Sequence, residues 1–276
     1  MPVDPTRTLV LVRGEPAGGA SSAGGAGAPG GGEPPVRVVA AWASPPDTHV
    51  LVMLGDTAPE ATAALRVLRH RLEQKRANGM WVFAVTSARP GEGKSTFASQ
   101  LALVLSESQR ARVLLVETNF ARPSLARILG FRTPQGQGFS TQLARKMRGG
   151  TDPWCVVALG PALHVLAEDE NEPGFPETLH STYFAHAIAL LARGYDFLVL
   201  DAPSVLGSGD ANVVEDAVDG VIIVARSGKT LGNDLREAVR QLGERKAMGV
   251  VMWDADQAAV ATSDGKGSGG GRGRGR

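Results

Sequence analysis

The chain has 276 residues and is 43% hydrophobic, which suffices for one full α/β core, alone or with loose ends. Its 29 basic and 28 acidic residues leave a formal charge of +1, so no whole-molecule field favours an anionic membrane, and no nucleic-acid partner is expected. The single cysteine, Cys155, excludes an intramolecular disulfide and any C-x-x-C metal or redox pair, in keeping with a reducing cytosol.

Along the chain, residues 1–57 read as an N-terminal region without a basic segment and apolar leader. Within it, 14–35 (GEPAGGASSAGGAGAPGGGEPP) lack large apolar groups and read as a linker, because they cannot offset the entropy of ordering. VRVVAAWA (36–43) and THVLVML (48–54) have the look of short extra strands. A helical stripe follows through Ala61, Leu65, Leu68 and Leu72, with Arg66 and Arg69 one turn apart along its edge.

From there apolar runs alternate with helical patterns. Strands are predicted at 81–86, 112–117, 197–201, 220–225 and 248–253, and helices near 94–107, 122–129, 178–193, 209–217 and 230–245. Nearly continuous apolar strands separated by helices predict a doubly wound, mostly parallel sheet in three α/β/α layers, spanning 58–255. No apolar run approaches the ~20 residues of a membrane helix. The tail, 256–276, is rich in Gly and Arg and predicted to be disordered.

Directly after the first core strand comes Ser87-Ala88-Arg89-Pro90-Gly91-Glu92-Gly93-Lys94-Ser95-Thr96, then an amphipathic helix. This is G-x-x-x-x-G-K-[ST] with Ala88 at the first glycine. A polyphosphate is wrapped by backbone N–H groups, so Gly91 and Gly93 suit close approach of the chain to an anion. Lys94 then reaches the outer phosphates, the Ser95 hydroxyl suits Mg²⁺, and Thr96 suits the α-phosphate. Pro90 to Thr96 are therefore the predicted ATP-binding segment of a P-loop NTPase. Asp201, which ends FLVL and precedes Ala202-Pro203-Ser204, stands where a Walker B acid holds Mg²⁺ at the carboxyl end of a core strand.

In order, LRVLRHRL, VTSARPGEGKST, VLLVETNFARPSLARILG, PETLHS, YDFLVLDAPSVLGSGDA, DGVIIVARSGKT and MGVV resemble the cytosolic domain of bacterial tyrosine kinases of capsule and exopolysaccharide synthesis. These kinases are a branch of the MinD-like P-loop ATPases, and the resemblance spans about 58–253. It implies ATP, Mg²⁺ and tyrosine as reactants, with Lys94, Glu117, Asn119 and Asp201 as catalytic residues. Ser95 and Asp201 would hold the metal, and Trp253 would lie near the adenine. It also implies a transmembrane polysaccharide copolymerase as activating partner, cytoplasmic location at the inner face of the membrane, and self-association through the helix bearing Arg66 and Arg69.

The chain departs from that pattern in four places. Where the family's second acidic motif reads D-x-D, this chain has Glu117-Thr118-Asn119, and an amide cannot act as a base. Trp253 replaces an asparagine, and Ala63 replaces a glutamate of the interface helix. The tyrosine-rich tail is missing; the two tyrosines, Tyr183 and Tyr195, are both read as packing. The five histidines show no metal-ligand spacing. Beside kinase activity, these departures keep open a catalytically weak ATP-binding regulator of a copolymerase. A MinD/ParA-type positioning ATPase is the third reading, set back because Arg89-Pro90 stands where K-G-G-x-G-K-T carries its signature lysine.

Overall fold

The strand at the centre of the molecule, β3 (Val82–Ser87), is buried at every position, and its alternate residues face two separate cores. The same is true of β4 (Val113–Glu117) and β7 (Phe197–Asp201), and of β8 (Gly220–Arg226) up to the half-buried Arg226 at its end. Phe83, Val85, Leu115, Val199 and Val224 face one core, and Ala84, Leu114, Leu198 and Ile223 the other. A strand apolar on both faces requires helices above and below, which is the doubly wound plan.

The computed structural model describes residues 8–12, 36–41, 58–169, 174–243 and 246–255, with backbone alone at 8–12 and 253–255. The linker 14–35, the expected strand at 48–54 and the tail 256–276 lie outside the described residues. On one face lie α1 (Pro59–Ala77), α2 (Lys94–Ser106) and α3 (Leu125–Leu129); on the other lie α4 (Phe139–Met147), α5 (Thr182–Ala192), α6 (Asp210–Asp216) and α7 (Gly232–Leu242). The stripe Ala61, Leu65, Leu68 and Leu72 is the buried face of α1.

The remaining strands are β1 (Thr8–Val12), β2 (Val36–Ala40), β5 (Trp154–Ala158), β6 (Leu163–Leu166) and β9 (Ala247–Ala255), giving a nine-stranded order of β1-β9-β8-β3-β7-β4-β6-β5-β2. Only β1–β9 and β5–β6 are antiparallel. VRVVA is thus a strand of the same sheet, parallel to β5 at one edge, while Thr8–Val12 closes the other. The predicted helix at 178–193 is broken: Pro176–His180 form a 3₁₀ turn, and the helix restarts at Thr182 after Ser181 in extended conformation. The helix predicted at 122–129 is confined to Leu125–Leu129, beyond Pro123.

Tyr195 is buried just before β7, its hydroxyl 2.8 Å from His164 Nδ1. Tyr183 departs from its reading as a packing residue: it is 45% exposed on the first turn of α5. Arg66 and Arg69 both pair with Glu107, just past the end of α2, so the basic edge of α1 is tied to its own neighbour helix.

Candidate functional site

The carboxyl ends of β8, β3, β7 and β4 lie side by side, and the site is built there. Beyond Ser87 the chain turns through Gly91 (φ 79°) and Gly93 (φ 93°) into α2. Both angles are in the left-handed region, which glycine adopts at little cost. The loop folds over its own side chain: Glu92 is 2% exposed and accepts the Arg89 N–H at 2.9 Å. Lys94 is buried at the first turn of α2, beside the helix's unpaired N–H groups.

Beneath the loop, β7 ends in Asp201, which is fully buried. Lys94 Nζ stands 4.0 Å from its Oδ1, and neither carboxylate oxygen has a hydrogen-bond partner. Burial pushes the Asp201 carboxyl above its ordinary range, while the Lys94 charge and the Ser95 hydroxyl pull it back. The segment after it is fixed under the loop: Ala202 N–H donates to Val85, Val205 N–H to Ser87, and Leu206 N–H to Ala88.

Glu117 is the direct neighbour of Asp201 across the β4–β7 pair and equally inaccessible. Its oxygens, however, are fully engaged. Oε1 accepts N–H groups of Ser124 (2.5 Å) and Leu125 (3.0 Å), and Oε2 accepts that of Glu168 (3.0 Å). Burial and the Asp201 charge push this carboxyl up to about 8, against the three N–H donors. Glu117 thereby caps α3 from inside the core. Asn119, buried in the same region, donates its amide to the Arg122 carbonyl at 3.1 Å.

An open cleft of about 490 Å³ runs between the phosphate loop, the turn 119–127 and the segment 203–210. Of the residues predicted for the site, Pro90, Gly91, Lys94, Ser95 and Asn119 line it. Asp201 and Glu117 lie below its surface, Glu92 is turned into the protein, and Gly93 and Thr96 are not on its wall. Trp253 pairs through its backbone with Arg226 on β8; its side chain lies outside the described ones. Arg122, Arg127 and Asp210, to which the sequence reading gave no role, also line the cleft. The Arg-Pro after β4 was visible as text, but nothing local says that the two arginines face the phosphate loop.

Two bare carboxylate oxygens on Asp201, with a serine hydroxyl beside them, are hard oxygen donors suited to Mg²⁺. Among the described residues no three His, Cys, Asp or Glu side chains gather into a metal cage. A cation here would take its remaining ligands from phosphate and water, as Mg²⁺ does in nucleotide sites.

No family model matches the chain. It is 29% identical over 170 residues to tyrosine-protein kinase YwqD of Bacillus subtilis, covering 61% of this chain and 70% of that one. With tyrosine-protein kinase CpsD of Streptococcus agalactiae it shares 26% identity, covering 66% of this chain and 78% of CpsD. Among solved structures, the VpsO kinase domain superposes with a TM-score of 0.58 at 27% identity, over 71% of this chain and 95% of that domain. The chain's homologues are thus named bacterial tyrosine kinases, and its fold is that of P-loop NTPases.

Proposed function

We propose that this protein binds Mg-ATP at the β3–α2 loop and transfers the γ-phosphate to protein tyrosine, acting in the regulation of capsule or exopolysaccharide synthesis and export. The observation that carries the reading is Asp201: a wholly buried carboxylate with no hydrogen-bond partner, 4.0 Å from the loop lysine. Leaving such a group bare is costly unless a cation completes it. Lys94 would hold the outer phosphates, the N–H groups of Gly91 to Ser95 would wrap them, and Ser95 with Asp201 would hold the metal. Mg²⁺ supplies charge neutralisation for the transferring phosphoryl group. Arg122 and Arg127 add positive charge to the opposite wall.

The partner we assign is a membrane-bound polysaccharide copolymerase that recruits the chain to the inner face of the membrane. No helix among the described residues is long and apolar enough to cross a membrane, so attachment through a partner suits it. Self-association would use α1, whose Arg66 and Arg69 pair with Glu107 of the same chain.

One observation favours a second reading, a nucleotide-switched regulator of that copolymerase. Glu117 is occupied by three backbone N–H groups, and Asn119 cannot take a proton, so the turn after β4 offers no free carboxylate to a tyrosine hydroxyl. Intact-mass and phosphopeptide analysis after incubation with Mg-ATP separates the readings, comparing wild type with Lys94→Met and adding a Glu-Tyr copolymer as acceptor. Phosphotyrosine that depends on Lys94 is the result expected of a kinase. Lys94-dependent nucleotide binding without any phosphotyrosine establishes the regulator, and loss of neither binding nor transfer in Lys94→Met overturns the site.

A further inference from the structure

The run ARSGKT at the end of β8 meets the phosphate loop at Gly91 and Glu92. Its turn is closed by two bonds to the Arg226 carbonyl, from the N–H groups of Lys229 (3.1 Å) and Thr230 (2.9 Å). The Thr230 hydroxyl accepts the Arg226 N–H at 2.8 Å and donates to Glu92 Oε1 at 2.6 Å. Because its oxygen already accepts from Arg226, its one proton is directed at Glu92. Glu92 then uses its second oxygen on the Arg89 N–H, so one buried carboxylate ties the start of the loop's outer arch to the β8–α7 turn.

Two further contacts act on the same arch. Lys229 Nζ donates to the Gly91 carbonyl at 2.9 Å, and it stands 3.1 Å from where a Cβ on Gly91 would lie. In a trans peptide the carbonyl and the following N–H point opposite ways, so holding the Gly91 carbonyl on Lys229 turns the Glu92 N–H away from that lysine. The Arg89 guanidinium makes two bonds to Asp234 on the first turn of α7. Two left-handed glycines, one on each side of Glu92, would otherwise leave this arch many alternatives.

We propose that Thr230, Glu92 and Lys229 form a clasp that fixes the phosphate loop in its anion-receiving shape, making the β8–α7 turn a positioning element for nucleotide binding. The proposal rests on the reading of 88–96 as a nucleotide loop and extends it to residues outside any phosphate-binding motif. Thr230 and Lys229 do not line the cleft; they act through Glu92 and the Gly91–Glu92 peptide. Preorganising the loop lowers the ordering cost that a ligand must otherwise meet on binding.

The test is Mg-ADP affinity by calorimetry, with melting of the nucleotide-free protein recorded for each variant. Thr230→Val keeps the shape and removes the hydroxyl; it is expected to weaken Mg-ADP about tenfold, the effect of losing one hydrogen bond to a charged group. Thr230→Ser is expected to stay within about threefold of wild type, and Lys229→Met, which changes an exposed side chain, to weaken binding about threefold to tenfold. Glu92→Gln combined with Thr230→Val should lose no more than the worse single variant, since both break one contact. Wild-type affinity in Thr230→Val and Lys229→Met, with or without a fall in melting temperature, overturns the clasp. The nucleotide reading stands in that case as long as Lys94→Met fails to bind, whereas wild-type protein that binds no Mg-ADP removes both. Should Thr230→Val not fold, Lys229→Met decides alone.

Discussion

Asp201 and Glu117 sit opposite one another on neighbouring strands, both inaccessible to water, yet their surroundings differ completely. Glu117 is met by three backbone N–H groups, whereas Asp201 is met by none and has a lysine 4.0 Å away. A buried carboxylate is tolerated when it is fully hydrogen-bonded or when a cation answers it. We assign the first solution to architecture and the second to the proposed ligand site. The same residue class at the same depth is therefore a cap in one strand and is left without a hydrogen bond in the next.

The comparison breaks most sharply in Asp201→Asn. Nucleotide-dependent phosphotransfer is expected to fall by about 100-fold or more, the scale of losing a group that stabilises charge in phosphoryl transfer. The nucleotide-free fold should lose no stability, because relief of a buried carboxylate offsets the loss of Lys94's partner 4.0 Å away. Turnover and urea midpoints measured on one preparation check both halves; an Asp201→Asn protein less stable than wild type would mean that the aspartate is structural after all.

Glu117→Ala is the mirror experiment. It orphans three buried N–H groups at the start of α3 and after β6, and should lower stability by about 3–5 kcal/mol. Urea unfolding reads this directly. A loss under about 1 kcal/mol would show that the cap contributes little and that the two acids are not different in kind.

The pH response sharpens the contrast further. Both carboxyls are raised in the folded state, Glu117 to about 8. A raised acid holds its proton in the fold at pH values where the unfolded chain has released it. Its contribution is therefore complete below the unfolded pKa, near 4.5, and lost as pH climbs toward 8. Apo wild type should lose stability between pH 5.5 and 8.5, and Asp201→Asn should lose less, because the neighbour that raises Glu117 is gone. Parallel pH profiles for the two proteins would rule out the coupling.

How much of this was readable from the sequence follows the distance over which each feature is decided. The strand–loop–helix around 88–96 was legible because strand, glycines, lysine and helix are contiguous, and the place of Asp201 at a strand end because it closes an unmistakable apolar run. The short strands β5 and β6 were not: WCVVA and LHVL are five and four residues, separated by Gly160-Pro161, and gain their strand character from pairing with each other and with β2 and β4. The helix at Phe139–Met147 was missed for want of an N-terminal cap, since Gly138 precedes it. Above all, the sequence shows Glu117 but not its partners, two of which lie seven and eight positions on and the third at Glu168.

Asn119→Asp carries the smallest expected effect and the finest distinction. The amide donates to the Arg122 carbonyl at 3.1 Å, and a carboxylate cannot donate, so the new side chain must turn from that carbonyl toward the cleft. There it finds Lys94, Arg122 and Arg127 on the walls, a field that keeps it ionised and able to receive a proton. If a missing base limits transfer, the rate should rise, by less than about tenfold because positioning and charge neutralisation supply most of phosphoryl-transfer catalysis. Mg-ADP affinity should meanwhile change little. Phosphotyrosine formation measured beside Mg-ADP affinity separates the two terms. An unchanged rate with unchanged affinity would mean that the turn after β4 is scaffold throughout, with Asn119 serving the backbone of α3's approach just as Glu117 serves its first turn.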